Sequence, residues 1–290
     1  MRPAAAIVLG CALALAAGAA RAAVLPDLIV TPAWLLAHRG EVQVLDARPA
    51  AAYAAGHLPH AASLPEGRLR AEADPARLPG LARLRALLEG AGVRAGRPVV
   101  VYDDGSLKDA ARVFWVLELL GHPEVAVLSG GTAAWLAAGG PLERGAARPG
   151  RGRFVPALRA ARIATRVDVR LALNDPSSLI VDARPPAAYE GRISAGPRAG
   201  HVPGAVNVPY RAHLDAEGRL LDRAGLRRLY GHRLRGVRRV YVYCDRGRES
   251  AVAYLALRLL GVDAAVYHGG WGDWSRAPGL PVATGPEPRP

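Results

Sequence analysis

The residues best suited to covalent chemistry lie in one short segment, Val240-Tyr241-Val242-Tyr243-Cys244-Asp245-Arg246-Gly247-Arg248-Glu249-Ser250. An apolar, aromatic and β-branched run ends at Tyr243, and a helical pattern starts near Glu249 or Ser250. Cys244 therefore falls between the carboxyl end of a strand and a helix N-terminus, the place where open α/β sheets bind ligands. A tight loop entering a helix turns several backbone N–H groups inward, and these favour negative charge together with the helix dipole. The expectation is a thiol of lowered pKa and a good nucleophile at neutral pH. Gly247 permits the sharp backbone path. Arg246 and Arg248 put positive charge beside an incoming anion, and Ser250 supports the loop where the helix begins.

The elements that must hold this loop occur twice. Asp46-Ala47-Arg48-Pro49 recurs as Asp182-Ala183-Arg184-Pro185, and Gly56-His57-Leu58-Pro59 recurs as Gly200-His201-Val202-Pro203. Gly130-Gly131-x3-Trp135 recurs as Gly269-Gly270-x3-Trp274. The offsets of 136, 144 and 139 residues keep the order, which indicates a duplicated domain. Val42 to Leu45, Val99 to Tyr102 and Val125 to Leu128 read as strands, with counterparts at Ile180-Val181, Val240 to Tyr243 and Ala264 to Tyr267. Unbroken apolar runs suit strands buried on both faces of a parallel sheet. Helical patterns such as Ala110 to Leu120 and Ala251 to Leu260 lie between them, so each half is predicted to be α/β, a parallel sheet flanked by helices. The predicted layout is a signal peptide over 1–22, one domain over 26–142 and a linker over 143–161. A second domain follows over 162–282, with a loose tail over 283–290.

Composition narrows the function. A chain of 290 residues suits two domains, and 51% hydrophobic with 22% charged residues is ordinary globular usage. The net charge of +13 comes almost wholly from arginine, since Lys108 is the only lysine. These arginines are scattered, without a compact stripe or interleaved aromatics, which reads as a solvated basic surface rather than a nucleic-acid site, one that would still draw anionic substrates. Two cysteines, Cys11 and Cys244, exclude a disulfide framework and a cysteine-cage zinc site. Met1-Arg2, an uncharged run from Ala4 to Ala20 and Ala20-Arg21-Ala22 read as an export signal cut after Ala22, with a retained anchor as the alternative. Export, with a bacterial periplasm as the expected destination, would remove Cys11 and leave Cys244 as the one thiol.

The ordered set of Asp-Ala-Arg, Gly-His-x-Pro, the Cys244 to Glu249 loop and Gly-Gly-x3-Trp resembles the rhodanese family, the thiosulfate and 3-mercaptopyruvate sulfurtransferases. The resemblance implies two rhodanese-like domains, an active C-terminal one and an inactive N-terminal one, because Tyr102-Asp103 stands where Tyr243-Cys244 stands. A carboxylate cannot carry a transferable sulfur, so the first half is expected to pack against the second and wall the cleft. The family mechanism is ping-pong and implies no metal or organic cofactor. The Cys244 thiolate takes the outer sulfur of a donor such as thiosulfate, and backbone N–H groups from Asp245 to Glu249 cradle the persulfide. Cyanide, a thiol or a sulfur-accepting protein then removes the sulfur. Related phosphatases use Cys-x5-Arg, and here that arginine position is Ser250. The mercaptopyruvate branch carries Gly-Ser after its cysteine; Asp245-Arg246 is closer to the thiosulfate branch, although Asp245 opposes a dianion. The alternatives kept open are a persulfide relay module, a 3-mercaptopyruvate sulfurtransferase, and an oxidant sensor.

Other residues carry narrower expectations. Arg192, after Tyr189-Glu190-Gly191, resembles the family's donor-binding arginine across an insertion running to Ala199. Asp182 is expected to order Arg184 rather than do chemistry. His57 and His201 occur in both halves, which favours structure over catalysis. Trp135 and Trp274 are expected to anchor terminal helices, with Trp271 packing near the cleft. Two fused domains favour a monomer.

Overall fold

The computed structural model describes residues 25–74, 77–145 and 149–286. The expected signal peptide, with Cys11, and the last four residues of the tail lie outside the described residues. The first half runs β1 (Ile29–Val30), α1 (Pro32–His38), β2 (Gln43–Asp46), α2 (Ala50–Ala55), β3 (Ala62–Ser63), α3 (Leu81–Gly90), β4 (Val99–Tyr102), α4 (Lys108–Leu119), β5 (Val125–Leu128) and α5 (Gly131–Ala137). The second runs β6 (Ile163–Ala164), α6 (Arg166–Ala172), β7 (Ser178–Asp182), α7 (Pro186–Tyr189), β8 (Val206–Asn207), α8 (Arg223–Tyr230), β9 (Arg239–Tyr243), α9 (Ser250–Leu259), β10 (Ala264–Tyr267) and α10 (Gly270–Trp274). The two sheets have the same order, β1-β5-β4-β2-β3 and β6-β10-β9-β7-β8, and every ladder is parallel.

The central strands are those the apolar runs predict, because both faces are covered: β4, β5 and β10 are buried at every residue. The four edge strands β1, β3, β6 and β8 are two residues each, too short to show a period. The repeated motifs perform the same work twice. Arg48 clamps Asp46 (2.6 Å) and donates to the Gly56 carbonyl (2.7 Å); Arg184 does the same with Asp182 (2.6 Å) and Gly200 (2.7 Å). His57 and His201 stack on Tyr53 and Tyr189 at 3.9 and 3.7 Å between ring centres, a structural use in both halves. Trp135 and Trp274 donate to the Pro141 and Pro281 carbonyls, tying α5 and α10 to the segments that follow them.

The halves share one continuous core, in which α4 lies against α9. Phe114 meets Tyr254 at 6.5 Å, and Glu118 accepts from Tyr254 (2.5 Å) and Arg258 (2.8 Å). Full burial of a side chain such as Phe114 contributes roughly 1.5–3 kcal/mol, so the interface is a core rather than a hinge. The described part of the segment predicted as a linker is tacked down: Gly152 donates to Glu89, Ala157 to Leu120 and Arg159 to Leu119, and Phe154 is buried beside His122. The start of the tail is held too, contrary to expectation, because His201 donates to Ala283 and Gly285 to Glu190. Among the described residues no helix is long and apolar enough to cross a membrane.

Candidate active site

Cys244 follows β9 directly, and α9 begins at Ser250. The loop between them closes on the sulfur: Gly247 N–H donates to Cys244 Sγ at 3.1 Å. The backbone of Arg246 and of Ser250 also turns toward it. The Ser250 hydroxyl is buried with no hydrogen-bond partner among the described residues, and its nearness to the sulfur pulls the thiol pKa down. This path requires two glycines. Gly247 has φ +79°, and a Cβ there would meet Arg112 and His268 at 2.6 Å. Gly270 has φ +57°, and its Cβ would lie 2.2 Å from the Cys244 carbonyl oxygen. The Gly-Gly-x3-Trp motif is thus a seat for the loop, with Trp271 N–H donating to that same carbonyl at 2.8 Å. Trp271 itself is buried beneath the Arg184 guanidinium, 4.7 Å from it.

The expectation of a lowered thiol pKa is corrected. Burial pushes the Cys244 thiol up, and the Glu249 carboxylate pushes it further. The N–H groups of the loop and the Ser250 hydroxyl pull it down, but desolvation of a fully buried thiolate outweighs them. Burial also raises the Glu249 carboxyl, with Asp245 adding to it and Lys108 and Arg248 opposing. It follows that Glu249→Gln should ease ionisation of Cys244. Iodoacetamide should alkylate the variant severalfold faster than the parent at neutral pH, with the pH–rate curve displaced toward acid. A curve that did not move would remove Glu249 from the control of the thiol.

Cys244, Asp245, Arg246, Arg248 and Glu249 line a cavity of about 360 Å³ together with Glu66, Arg70 and Lys108 of the first half. The first half therefore walls the cleft, as expected, and supplies charge to it. The cations are not equivalent. Arg248 pairs with Asp109 across the interface at 2.5 Å, so it ties the halves together rather than standing ready for an anion. Among the described residues, Arg246 and Lys108 have no carboxylate within 4 Å; Lys108 lies over the Tyr210 ring at 5.3 Å. Asp245 is held near Arg184 at 3.7 Å. Asp182, fully buried, grips Arg184 and so acts on the loop at one remove.

Arg192 is not brought to the cavity. Its exposed guanidinium pairs with Glu190 at 2.7 Å, because the insertion is fixed by another arginine. That residue, Arg198, donates to the carbonyls of Trp274, Ser275, Ala277 and Leu280. The corresponding loop of the first half explains why it holds no nucleophile. Asp103 fills its own cradle: its carboxylate accepts from the backbone N–H groups of Gly105 (2.9 Å), Leu107, Asp109 and Ala110 (each 3.2 Å). Burial pushes that carboxyl up to about 6. The same architecture thus binds a fixed anion in one half and presents a thiol in the other. Reading the sequence missed Glu66, Arg70 and Arg112. Lys108 could have been found as the one lysine of the chain, five positions after Asp103.

The family model for the rhodanese-like domain matches residues 31–138 and again 165–277. The 3-mercaptopyruvate sulfurtransferase of Escherichia coli is 32% identical over 268 residues, covering 86% of this chain and 95% of the relative. The thiosulfate sulfurtransferase of Pseudomonas aeruginosa is 33% identical over 261 residues, covering 88% and 96%. The crystal structure of the 3-mercaptopyruvate sulfotransferase SseA from Escherichia coli superposes with a TM-score of 0.76 at 31% identity, over 84% of this chain and 99% of that one.

Proposed function

The chain belongs to the rhodanese family of sulfurtransferases, and from that premise we infer that Cys244 carries sulfur from thiosulfate to cyanide or a thiol. The observation that supports this most is the Gly247 N–H, 3.1 Å from a sulfur that opens into a charged cavity. Once ionised, Cys244 attacks the outer sulfur of thiosulfate. The sulfur–sulfur bond of the donor breaks, sulfite leaves with the bonding pair, and a persulfide remains on Cys244. The terminal sulfur carries the negative charge, which the loop N–H groups receive as hydrogen-bond donors. Cyanide then attacks that sulfur, thiocyanate leaves, and the thiolate is restored.

Thiosulfate is proposed over 3-mercaptopyruvate because a dianion matches two cations that have no carboxylate partner among the described residues, Arg246 and Lys108. The relatives include enzymes named for both donors. Intact mass before and after thiosulfate tests the reading: loading should add about 32 Da to the peptide holding Cys244. Lys108→Met and Arg246→Ala should each slow that loading roughly tenfold, on the scale of a lost charge-assisted contact. No gain from thiosulfate but a gain from 3-mercaptopyruvate would reassign the donor. No gain from either would end the sulfurtransferase reading of Cys244. We also propose export with cleavage after Ala22, which the same spectrum tests as a chain beginning at Ala23.

A further inference from the structure

The sulfur loop belongs to the second half, yet its outer side is held by the first. Arg70, which follows the helical turn Glu66–Leu69, donates from Nη1 to the Arg246 carbonyl at 3.2 Å. Arg112, on α4, donates from Nη1 to the Gly247 carbonyl at 3.1 Å. These carbonyls belong to successive peptides, 246–247 and 247–248. In a trans peptide the N–H points away from the C=O. Holding the Arg246 carbonyl outward therefore turns the Gly247 N–H inward, and that is the group found on Cys244 Sγ. Holding the Gly247 carbonyl likewise fixes the orientation of the next peptide, the one that carries the Arg248 N–H. A cation on the carbonyl also polarises the peptide, which strengthens the donor at its other end.

The clamp is built rather than incidental. Arg112 is fully buried, stacks over Trp115 at 5.1 Å and contacts His268 at 2.9 Å. Glu66 bridges both guanidiniums, 2.6 Å from Arg70 and 3.2 Å from Arg112. The Arg112 Nε and Glu66 Oε1 atoms are buried without an aligned hydrogen bond, so this contact is chiefly Coulombic. Gly247 cannot carry a side chain partly because Arg112 occupies that space.

We propose that Arg70 and Arg112, from the half without a nucleophile, are positioning residues that aim the peptide N–H groups of the sulfur cradle and hold positive charge behind it. The proposal deepens the sulfurtransferase reading and rests on it for the meaning of the cradle. The charged groups facing Cys244 are Asp245, Arg246, Arg248 and Glu249 on its own loop, Glu66, Arg70, Lys108 and Arg112 from the first half, and His268 after β10. Removing either clamp should make the thiolate harder to form and the persulfide slower to load.

The test uses the full chain with Arg70→Met, Arg112→Met and Arg70→Lys. Loading from thiosulfate should fall roughly tenfold to a hundredfold in each Met variant, below the loss seen when a direct oxyanion donor is removed. The pH–rate curve for iodoacetamide on Cys244 should move toward alkaline pH, and Arg70→Lys should restore part of both. Unfolding curves report whether Arg112→Met, which leaves Glu66 with one partner, still folds; Arg70→Met, at a half-buried site, carries the test if it does not. Loading within twofold of the parent and an unmoved alkylation curve in Arg70→Met would overturn the clamp. If the parent itself takes up no sulfur, the sulfurtransferase reading fails, and the alkylation curves still decide the clamp by whether they move.

Discussion

Replacing Cys244 by serine is expected to abolish sulfur loading and to lower turnover on the order of 10³-fold or more, the scale of losing a covalent nucleophile. A hydroxyl in this position has no accessible anion at neutral pH and cannot hold a sulfane sulfur. The fold should survive. Serine is close in shape to cysteine, and its oxygen can accept from the Gly247 N–H that now donates to Sγ. The core around it is set by β9, α9 and the Gly270 seat, none of which depends on the sulfur. The measurement is paired: mass after thiosulfate, and a urea unfolding curve beside that of the parent. Turnover retained in a folded variant would refute Cys244 as nucleophile. No other cysteine is among the described residues to take its place.

A comparable effect on stability is expected for Asp182→Ala. Both members of the Asp182–Arg184 pair are fully buried. Removing one partner of such a pair leaves a charge without compensation and costs about 3–5 kcal/mol. Arg184 would keep the Gly200 carbonyl, the Tyr243 and Trp271 rings, and Asp245 at 3.7 Å. Drawn toward Asp245, it should also disturb the loop beside Cys244, so sulfur loading should fall with stability. The twin change, Asp46→Ala, supplies the control. Arg48 is slightly more exposed than Arg184, so the loss there should be smaller, and the sulfur loop should be spared. Urea unfolding of the two variants checks both statements. A loss below about 1 kcal/mol for Asp182→Ala would mean that the pair contributes little beyond its own desolvation.

The central strand runs β4, β5 and β10 were legible because burial on both faces leaves no polar residue to break them, and β9 was legible because its apolar and aromatic run from Val240 to Tyr243 is continuous although Arg239 and Tyr241 are only half-buried. The edge strands were not, since a two-residue ladder leaves no periodic trace. Cys244 was legible because a cysteine at a strand-to-helix junction with a glycine three positions on is a local pattern. Arg192 was misplaced because an insertion breaks the spacing on which its role depended. Here the anchoring falls to Arg198, whose carbonyl partners lie about 80 residues away in the chain.

What the linear order of residues determined, then, is whatever rests on near neighbours: the duplication, the parallel α/β plan, the cysteine at the head of α9 and the missing nucleophile at Asp103. What the tertiary structure decided is the electrostatics of the site. The sign of the thiol shift depends on burial, which a local pattern cannot count. The separation of Arg248, paired with Asp109, from Arg246, which has no carboxylate partner among the described residues, depends on a residue 139 positions away. The hold of Arg70 and Arg112 on the sulfur loop arises only when the two halves close on one core, because charge acts through space and the chain brings those groups together only by folding.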